Sequence, residues 1–246
     1  MGALHAGHAS LLAAARAECD QVVMSLFVNP SQFSSASDLS HYPRDAARDH
    51  REAEARGVDL VFAPEASTLY PAGFQTWVDV EELSRGLEGA ARPRHFRAVA
   101  TICLKLFNIV QPRRAYFGQK DAQQAAVITR MVTDLELELE IIVLPTVRDP
   151  DGLALSSRNV RLTPAEREIA LALPHALKAG VAAWQAGEPA SAAASATLAG
   201  IDGLEVEYVE EANLDGRRLL LAAITVGTTR LIDNVELQPA ITEEEQ

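Results

Sequence analysis

The sequence is short of several things, and each shortage excludes something. Among its 246 residues there are two cysteines, Cys19 and Cys103, and neither belongs to a Cys-x-x-Cys pair. A disulfide scaffold and a structural zinc site are therefore ruled out as organising principles, and a reduced, cytoplasmic setting is the default. Positive charge is scarce as well: 22 Lys and Arg stand against 34 Asp and Glu, a formal net charge of −12. Phosphate backbones are held by clustered cations, so neither nucleic acid nor an anionic membrane surface is expected as the main partner. A small phosphorylated ligand needs only a few local cations and stays open. No run approaches the ~18 apolar residues of a membrane span, and the start, Met1-Gly2-Ala3-Leu4-His5, does not read as a secretion signal. Gly-x-Gly-x-x-Gly after a strand, Gly-x-x-x-x-Gly-Lys-Ser/Thr and Gly-x-Ser-x-Gly are all missing. With them go the dinucleotide, Walker-type and hydrolase-elbow signals.

What is present is an ordinary globular composition, 48% hydrophobic and 23% charged, over a length of roughly 1.6 average domains. Apolar runs alternate with helical patterns. Strands are expected at Val22–Val28, Val58–Phe62, Arg114–Phe117 and Leu139–Leu144, and helices over 8–18, from Pro43 to Gly57, over 95–110 and over 121–135. Strand–helix alternation means crossover connections and a parallel sheet covered on both faces. After Pro145 the pattern changes. A helical stretch opens at Thr163 and runs to about Gln185, and another follows over 189–198. Segments at 204–209, 219–226 and 229–237 then predict a three-stranded antiparallel sheet. The expected boundary divides residues 1–146 from 147–246.

Polar clusters gather where strands end and helices begin, which is where open parallel sheets bind ligands. His5-Ala6-Gly7-His8 puts two imidazoles at a helix N-terminus, able to face a phosphate or simply to cap the helix. Tyr116-Phe117-Gly118-Gln119-Lys120-Asp121 follows a strand, with Gln123 and Gln124 on the next helical turn, and reads either as a phosphate-facing lysine or as a capped turn. Leu155-Ser156-Ser157-Arg158-Asn159 can clamp an anion or serve as a polar loop. Arg92-Pro93-Arg94-His95 is a local cationic patch, and Asn29-Pro30-Ser31-Gln32-Phe33 closes the first strand, with Ser34 to Asp38 behind it as a candidate lid. Cys19 and Cys103 sit in apolar helical patterns and are expected in the core. No cluster supplies a metal-ligand set.

In their order, these clusters resemble the pantoate–β-alanine ligase (pantothenate synthetase) family. The resemblance is carried by Met1–His8, Phe27–Phe33, Tyr42-Pro43-Arg44, Leu87-Glu88-Gly89, Arg92-Pro93-x-His95-Phe96, Lys105–Val110, Tyr116–Gln124 and Asp151–Asn159. It covers residues 1 to about 160, and it is the ordered combination that is specific. It implies a Rossmann-like, nucleotidyltransferase-type domain followed by a smaller α+β domain with an antiparallel sheet. It also implies ligation of pantoate to β-alanine through a pantoyl adenylate, with ATP as substrate, Mg2+ bridging its phosphates, and a homodimer.

By the same resemblance, His5 and His8 contact phosphates, with His8 the better proton donor. Lys120, Ser156, Ser157 and Arg158 hold the β- and γ-phosphates, and the Val147 backbone meets the adenine. Met1, Gly2, Ala3, Leu4, Gly7, Gly118, Gln119, Asp121 and Leu155 complete the ATP site. Gln32 and Gln124 bind pantoate, with Arg92 and His95 in the same crevice. Position 119 is Gln where the family usually has an acid. Family members carry about thirty residues before this Met, including the sheet's first, central strand, so the resemblance implies that this strand is missing here. A related nucleotidyltransferase and an inactive truncated remnant are the alternative readings.

Overall fold

Helix capping and strand pairing account for most of the architecture. The computed structural model describes residues 2–33 and 39–238. Its elements, in chain order, are α1 (Ala6–Glu18), β1 (Val23–Ser25), α2 (Ala46–Ala55), β2 (Leu60–Phe62), α3 (Ala66–Leu69), α4 (Glu88–Ala91), α5 (His95–Val110), β3 (Arg114–Gly118), α6 (Ala122–Asp134) and β4 (Glu140–Leu144). Then follow α7 (Pro164–Ala170), α8 (Ala172–Gln185), α9 (Ala190–Leu198), β5 (Leu204–Leu214), β6 (Arg217–Val226) and β7 (Thr229–Glu236). The described residues form two compact units. One runs to Val147 and includes Leu155–Ser157; the other comprises Arg148–Ala154 and everything from Arg158 onward.

The first unit is the α/β, parallel-strand layer expected from the alternation. β1 pairs in parallel with β2, Val23 opposite Leu60, and β3 pairs in parallel with β4, Arg114 opposite Glu140. Each pair is joined through a helix, as parallel strands require. Leu4, Leu12, Ala15, Val22, Met24 and Ala53 bury one face, while Phe96, Val99, Val127, Ile128 and Met131 fill the space between α5, α6 and β3–β4.

Three expectations need correction here. Only Val23–Ser25 of the expected strand over 22–28 is paired, and it is not buried on both faces: Val23 is 39% and its partner Leu60 52% exposed. Among the described residues β1 has β2 as its one strand neighbour, and the two parallel pairs are not bridged to each other. The helix expected from Pro43 starts at Ala46, because the Asp45 carboxylate accepts the Arg48 N–H at 2.9 Å and so sets the N-cap. The stretch 163–185 is two helices. Pro174 has no N–H to offer the Ala170 carbonyl, and the ladder breaks at Leu171.

The second unit packs α7–α9 on β5–β6–β7, an antiparallel meander. Thr163 and Glu166 cap α7 reciprocally, with Pro164 at its first position. Asp215 and Gly216 have φ of 53° and 80°, the mirror-image turn that joins antiparallel strands in two residues, and Leu214 pairs with Arg217 across it.

Candidate active site

The segment entering α1 is held from an unexpected direction. The Ala3 and Leu4 N–H groups donate to the two carboxylate oxygens of Asp49, each at 2.8 Å, and Asp49 is buried on α2. Ala3 has φ 51°. The segment so fixed delivers His5 as the N-cap of α1. Gly7 N–H donates to His5 Nδ1 at 3.1 Å, His5 N–H donates to His8 Nδ1 at 3.4 Å, and the rings lie 4.1 Å apart. A Cβ on Gly7 would come within 2.9 Å of the His5 ring, so only glycine permits this approach.

With each Nδ1 accepting, the neutral tautomer of each ring carries its proton on Nε2. Burial and the His5 ring push the His8 pKa down to about 3, and the Lys120 charge acts in the same direction. His8 is therefore a neutral N–H donor near pH 7, and proton donation by an imidazolium would require a bound anion to raise that pKa.

Gly118 ends β3, and a 3-10 turn over Gln119–Asp121 leads into α6. A Cβ on Gly118 would meet nothing within 4 Å, so open space adjoins the strand end. Lys120 Nζ lies 3.9 Å from Asp121 Oδ1, with the lysine side chain 19% exposed. Leu155 N–H donates to the Val147 carbonyl at 3.0 Å, and Leu155 Cβ is 4.0 Å from where a Gly7 Cβ would stand. The Ser157 hydroxyl donates to the Tyr42 hydroxyl at 3.2 Å, and Ser156 beside it is half-buried. The first unit thus brings Lys120 within electrostatic reach of His5–His8 and sets Leu155 against the first turn of α1. Gly2 is buried, with Val28 Cγ2 3.1 Å from a Cβ built on it. Arg158 belongs to the second unit, as the N-cap of the turn Asn159–Arg161. Met1 and the lid expected at Ser34 to Asp38 lie outside the described residues.

The glutamine cluster differs from its sequence reading. Asn29, 3% exposed, caps the turn Pro30–Gln32 by accepting the Ser31 N–H and donates to the Ala98 carbonyl. The Gln32 carbonyl receives Arg92 Nη2 and His95 Nδ1, each at 3.1 Å. Gln123 is buried: its Nε2 donates to the Leu83 and Gly86 carbonyls at 2.8 and 2.9 Å, and its Oε1 accepts the Glu88 N–H at 3.0 Å. Its amide is therefore spent on a loop rather than free for a substrate. Gln124, one residue on, is half-buried, and its side-chain amide makes no hydrogen bond to another described residue. Asp49 escaped the sequence reading, because a polar residue on a largely polar helix carries no local signal of its contact with Ala3 and Leu4. Cys103 is in the core, its thiol pushed up to about 12 by burial, whereas Cys19 is a half-buried helix C-cap with Sγ 3.4 Å from the Tyr116 hydroxyl.

A family model described as pantoate-beta-alanine ligase matches residues 1–236. The chain belongs to the pantoate–β-alanine ligase family. Its relatives include the pantothenate synthetase of Roseiflexus castenholzii, 52% identical, with the match covering 97% of this chain and 90% of that one. The Moorella thermoacetica pantothenate synthetase is likewise 52% identical, covering 97% and 89%. Among solved structures, pantothenate synthetase from Thermus thermophilus superposes with a TM-score of 0.93 at 43% identity, covering 97% of this chain and 91% of the other. Pantoate-beta-alanine ligase from Francisella tularensis, solved with beta-gamma ATP and β-alanine, gives 0.83 at 36% identity, covering 96% and 87%. A neutral His8 N–H donor, the His5 imidazole beside it, a lysine and serine hydroxyls are suited to phosphates, because every one of these groups can donate to an anion.

Proposed function

We propose that the chain joins pantoate to β-alanine at the expense of ATP in two steps. A pantoate carboxylate oxygen attacks the α-phosphorus; the bond to the bridging oxygen breaks, and pyrophosphate leaves with its electron pair. The β-alanine amine then attacks the acyl carbon of the adenylate, loses a proton, and displaces AMP through cleavage of the acyl C–O bond. Adenylation is needed because a free carboxylate has no adequate leaving group. The catalytic task is to stabilise charge gathering on the phosphates in the first transition state.

The observation that carries this reading is the set of donors at the start of α1 and the end of β3. His5 and His8 stand at a helix N-terminus with each Nδ1 taken up by a backbone N–H, and Lys120 acts on His8 electrostatically. In this reading those three groups, with Ser156 and Ser157, hold the triphosphate, and the Val147 backbone receives the adenine. Gly2, Ala3, Leu4, Gly7, Gly118, Gln119, Asp121 and Leu155 line the nucleotide. Gln32 and Gln124 bind the hydroxyl groups of pantoate. Magnesium enters with ATP as part of the substrate. The described residues contain no cluster of three acidic, His or Cys ligands, and the half-exposed Asp121 is the carboxylate beside Lys120, which suits an ion held chiefly by phosphate and water. The family resemblance adds a homodimer, and the unpaired cysteines suit a reducing cytoplasm.

The test supplies ATP and pantoate with and without β-alanine. Pyrophosphate should form with pantoate alone up to about one equivalent per site, and AMP should be released catalytically only when β-alanine is added. Catalytic AMP release indifferent to β-alanine would overturn the ligase reading.

A further inference from the structure

The sequence reading puts Arg92 and His95 in the pantoate crevice, but the hydrogen bonds tell against direct contact for His95. Its Nδ1 faces the Gln32 carbonyl, which can only accept, so Nδ1 carries the proton. Its Nε2 faces Arg92 Nη1 at 3.4 Å, which can only donate, so Nε2 accepts. Both ring nitrogens are thereby engaged within the protein, and the residue is 9% exposed. No nitrogen is left for a ligand.

Arg92 is itself tied backward. Its Nη1 lies 4.0 Å from the Glu88 carboxylate, with the Glu88 side chain 9% exposed, while its Nη2 reaches the Gln32 carbonyl. The Glu88 N–H in turn donates to Gln123 Oε1, and the other end of the Gln123 amide clasps the Leu83 and Gly86 carbonyls. The loop so clasped is tight. Leu87 has φ 52°, and a Cβ on Gly89 would stand 1.8 Å from the Ser84 carbonyl oxygen, so only glycine fits there. Gln123 sits in the first turn of α6, next to Gln124. Successive helix residues point about 100° apart around the axis, so anchoring Gln123 to the loop fixes the direction in which Gln124 is aimed.

We infer that Gln123, Glu88, Arg92 and His95 form a brace between the Pro30–Gln32 turn and the start of α6, positioning Gln32 and Gln124 relative to each other for pantoate. The inference rests on reading those two glutamines as the pantoate-binding amides. The brace residues are positioning residues. They do not touch substrate, and they set how well two separately anchored amides match one small molecule, which is a matter of preorganisation. The histidines of the ATP site hang from another element, the segment held by Asp49, and Lys120 precedes the helix on the turn from β3, so the brace should act on pantoate far more than on ATP.

The experiment measures KM for pantoate and for ATP separately, in steady-state pyrophosphate formation with β-alanine saturating. His95→Leu removes the donor to the Gln32 carbonyl and should raise the KM for pantoate roughly tenfold, with the KM for ATP moving by less than about twofold. His95→Asn places an amide N–H near the old Nδ1 position and should restore most of the loss. Gln123→Met, at a residue whose amide is wholly engaged by the loop, should shift pantoate in the same direction. Should His95→Leu fail to fold, Arg92→Lys gives the same reading, since an ammonium keeps the charge opposite Glu88 but lacks the two-nitrogen fork that spans Gln32 and His95. Equal changes in both KM values, a fall in kcat alone, or no rescue by Asn would each overturn the brace. Gln32→Ala and Gln124→Ala run alongside: if neither raises the KM for pantoate, the pantoate assignment itself fails and the brace falls with it.

Discussion

His8 illustrates how far residue type and residue state can diverge. The sequence makes it a histidine at a helix N-terminus, and from that alone a charged imidazolium opposite a phosphate is the natural picture. The structure makes it a neutral donor, its pKa pushed down to about 3 by burial and by the neighbouring His5. The permanent positive charge close by is then Lys120, which sits at the strand end and is 19% exposed. Charge stabilisation during adenylation accordingly falls to Lys120 more than to His8, because a neutral N–H contributes a weaker bond to an anion than an ammonium does. Lys120→Ala should lower the pyrophosphate-forming rate by on the order of a hundredfold or more and leave the thermal midpoint within a few degrees, as a partly exposed side chain adds little to stability. A comparable loss of rate accompanied by unfolding would make Lys120 a structural residue instead.

Elements were legible in the sequence to the extent that periodicity and caps are local. The helix over 95–110 is where the pattern puts it, and the antiparallel meander is present, but β5 runs on to Leu214 and β6 opens at Arg217 because the pairing continues up to the Asp215-Gly216 turn. The strand over 22–28 was overextended because an apolar run reveals hydrophobicity but not how many neighbours will pair with it; one neighbour supports three residues. The candidate site was legible as a set of residue types at strand ends, while its anchoring was not. Asp49 lies 46 residues from Ala3 and Gln123 lies 35 from Glu88, and no local rule links such positions. The hairpin between Val147 and Leu155 shows the same limit. Arg148 pairs across it with Ala154, donates to the Gly152 carbonyl, and makes two bonds of 2.5 and 3.0 Å to Asp233 of β7, whose side chain is fully buried. Arg167 of α7 holds Asp149 and Asp151 from the other side. Asp233→Ala should therefore destabilise the second unit by about 3 kcal/mol, the low end for a broken buried pair because Arg148 keeps a third of its surface in water. Chemical denaturation followed through Trp184, in α8 of that unit, measures it; a loss below about 1 kcal/mol would mean that the pair is dispensable to the fold.

For the molecule as a whole, the buried histidines couple folding to pH in a direction opposite to the one a surface histidine beside an acid would give. His95 is pushed down to about 4, first by burial and then by the Arg92 guanidinium, against the pull of the Gln32 carbonyl and of the Glu88 and Asp121 carboxylates. Protonating it would also place an N–H against the Arg92 N–H at the position where Nε2 now accepts. The unfolded chain binds this proton near pH 6.5 and the folded chain only near 4, so between those values the unfolded state holds more protons and is favoured as pH falls. The stability contributed by a neutral His95 is thus complete above about pH 6.5 and is lost progressively down to about 4, by on the order of 2–3 kcal/mol. His8 adds a loss of the same sign that extends to about pH 3. Carboxylates held low by their partners, such as Glu211 beside Arg218 and Glu236 beside Arg217, act mainly below the ordinary carboxylate range. Urea midpoints taken between about pH 7.5 and 4.5 therefore isolate the histidines. The parent chain should lose stability steadily across that interval, and His95→Asn, which cannot titrate, should start lower at pH 7.5 and fall less steeply. A parent curve flat across the interval, or a variant curve parallel to it, would show that His95 is protonated equally in the folded and unfolded chains and that its hydrogen bonds are not those assigned.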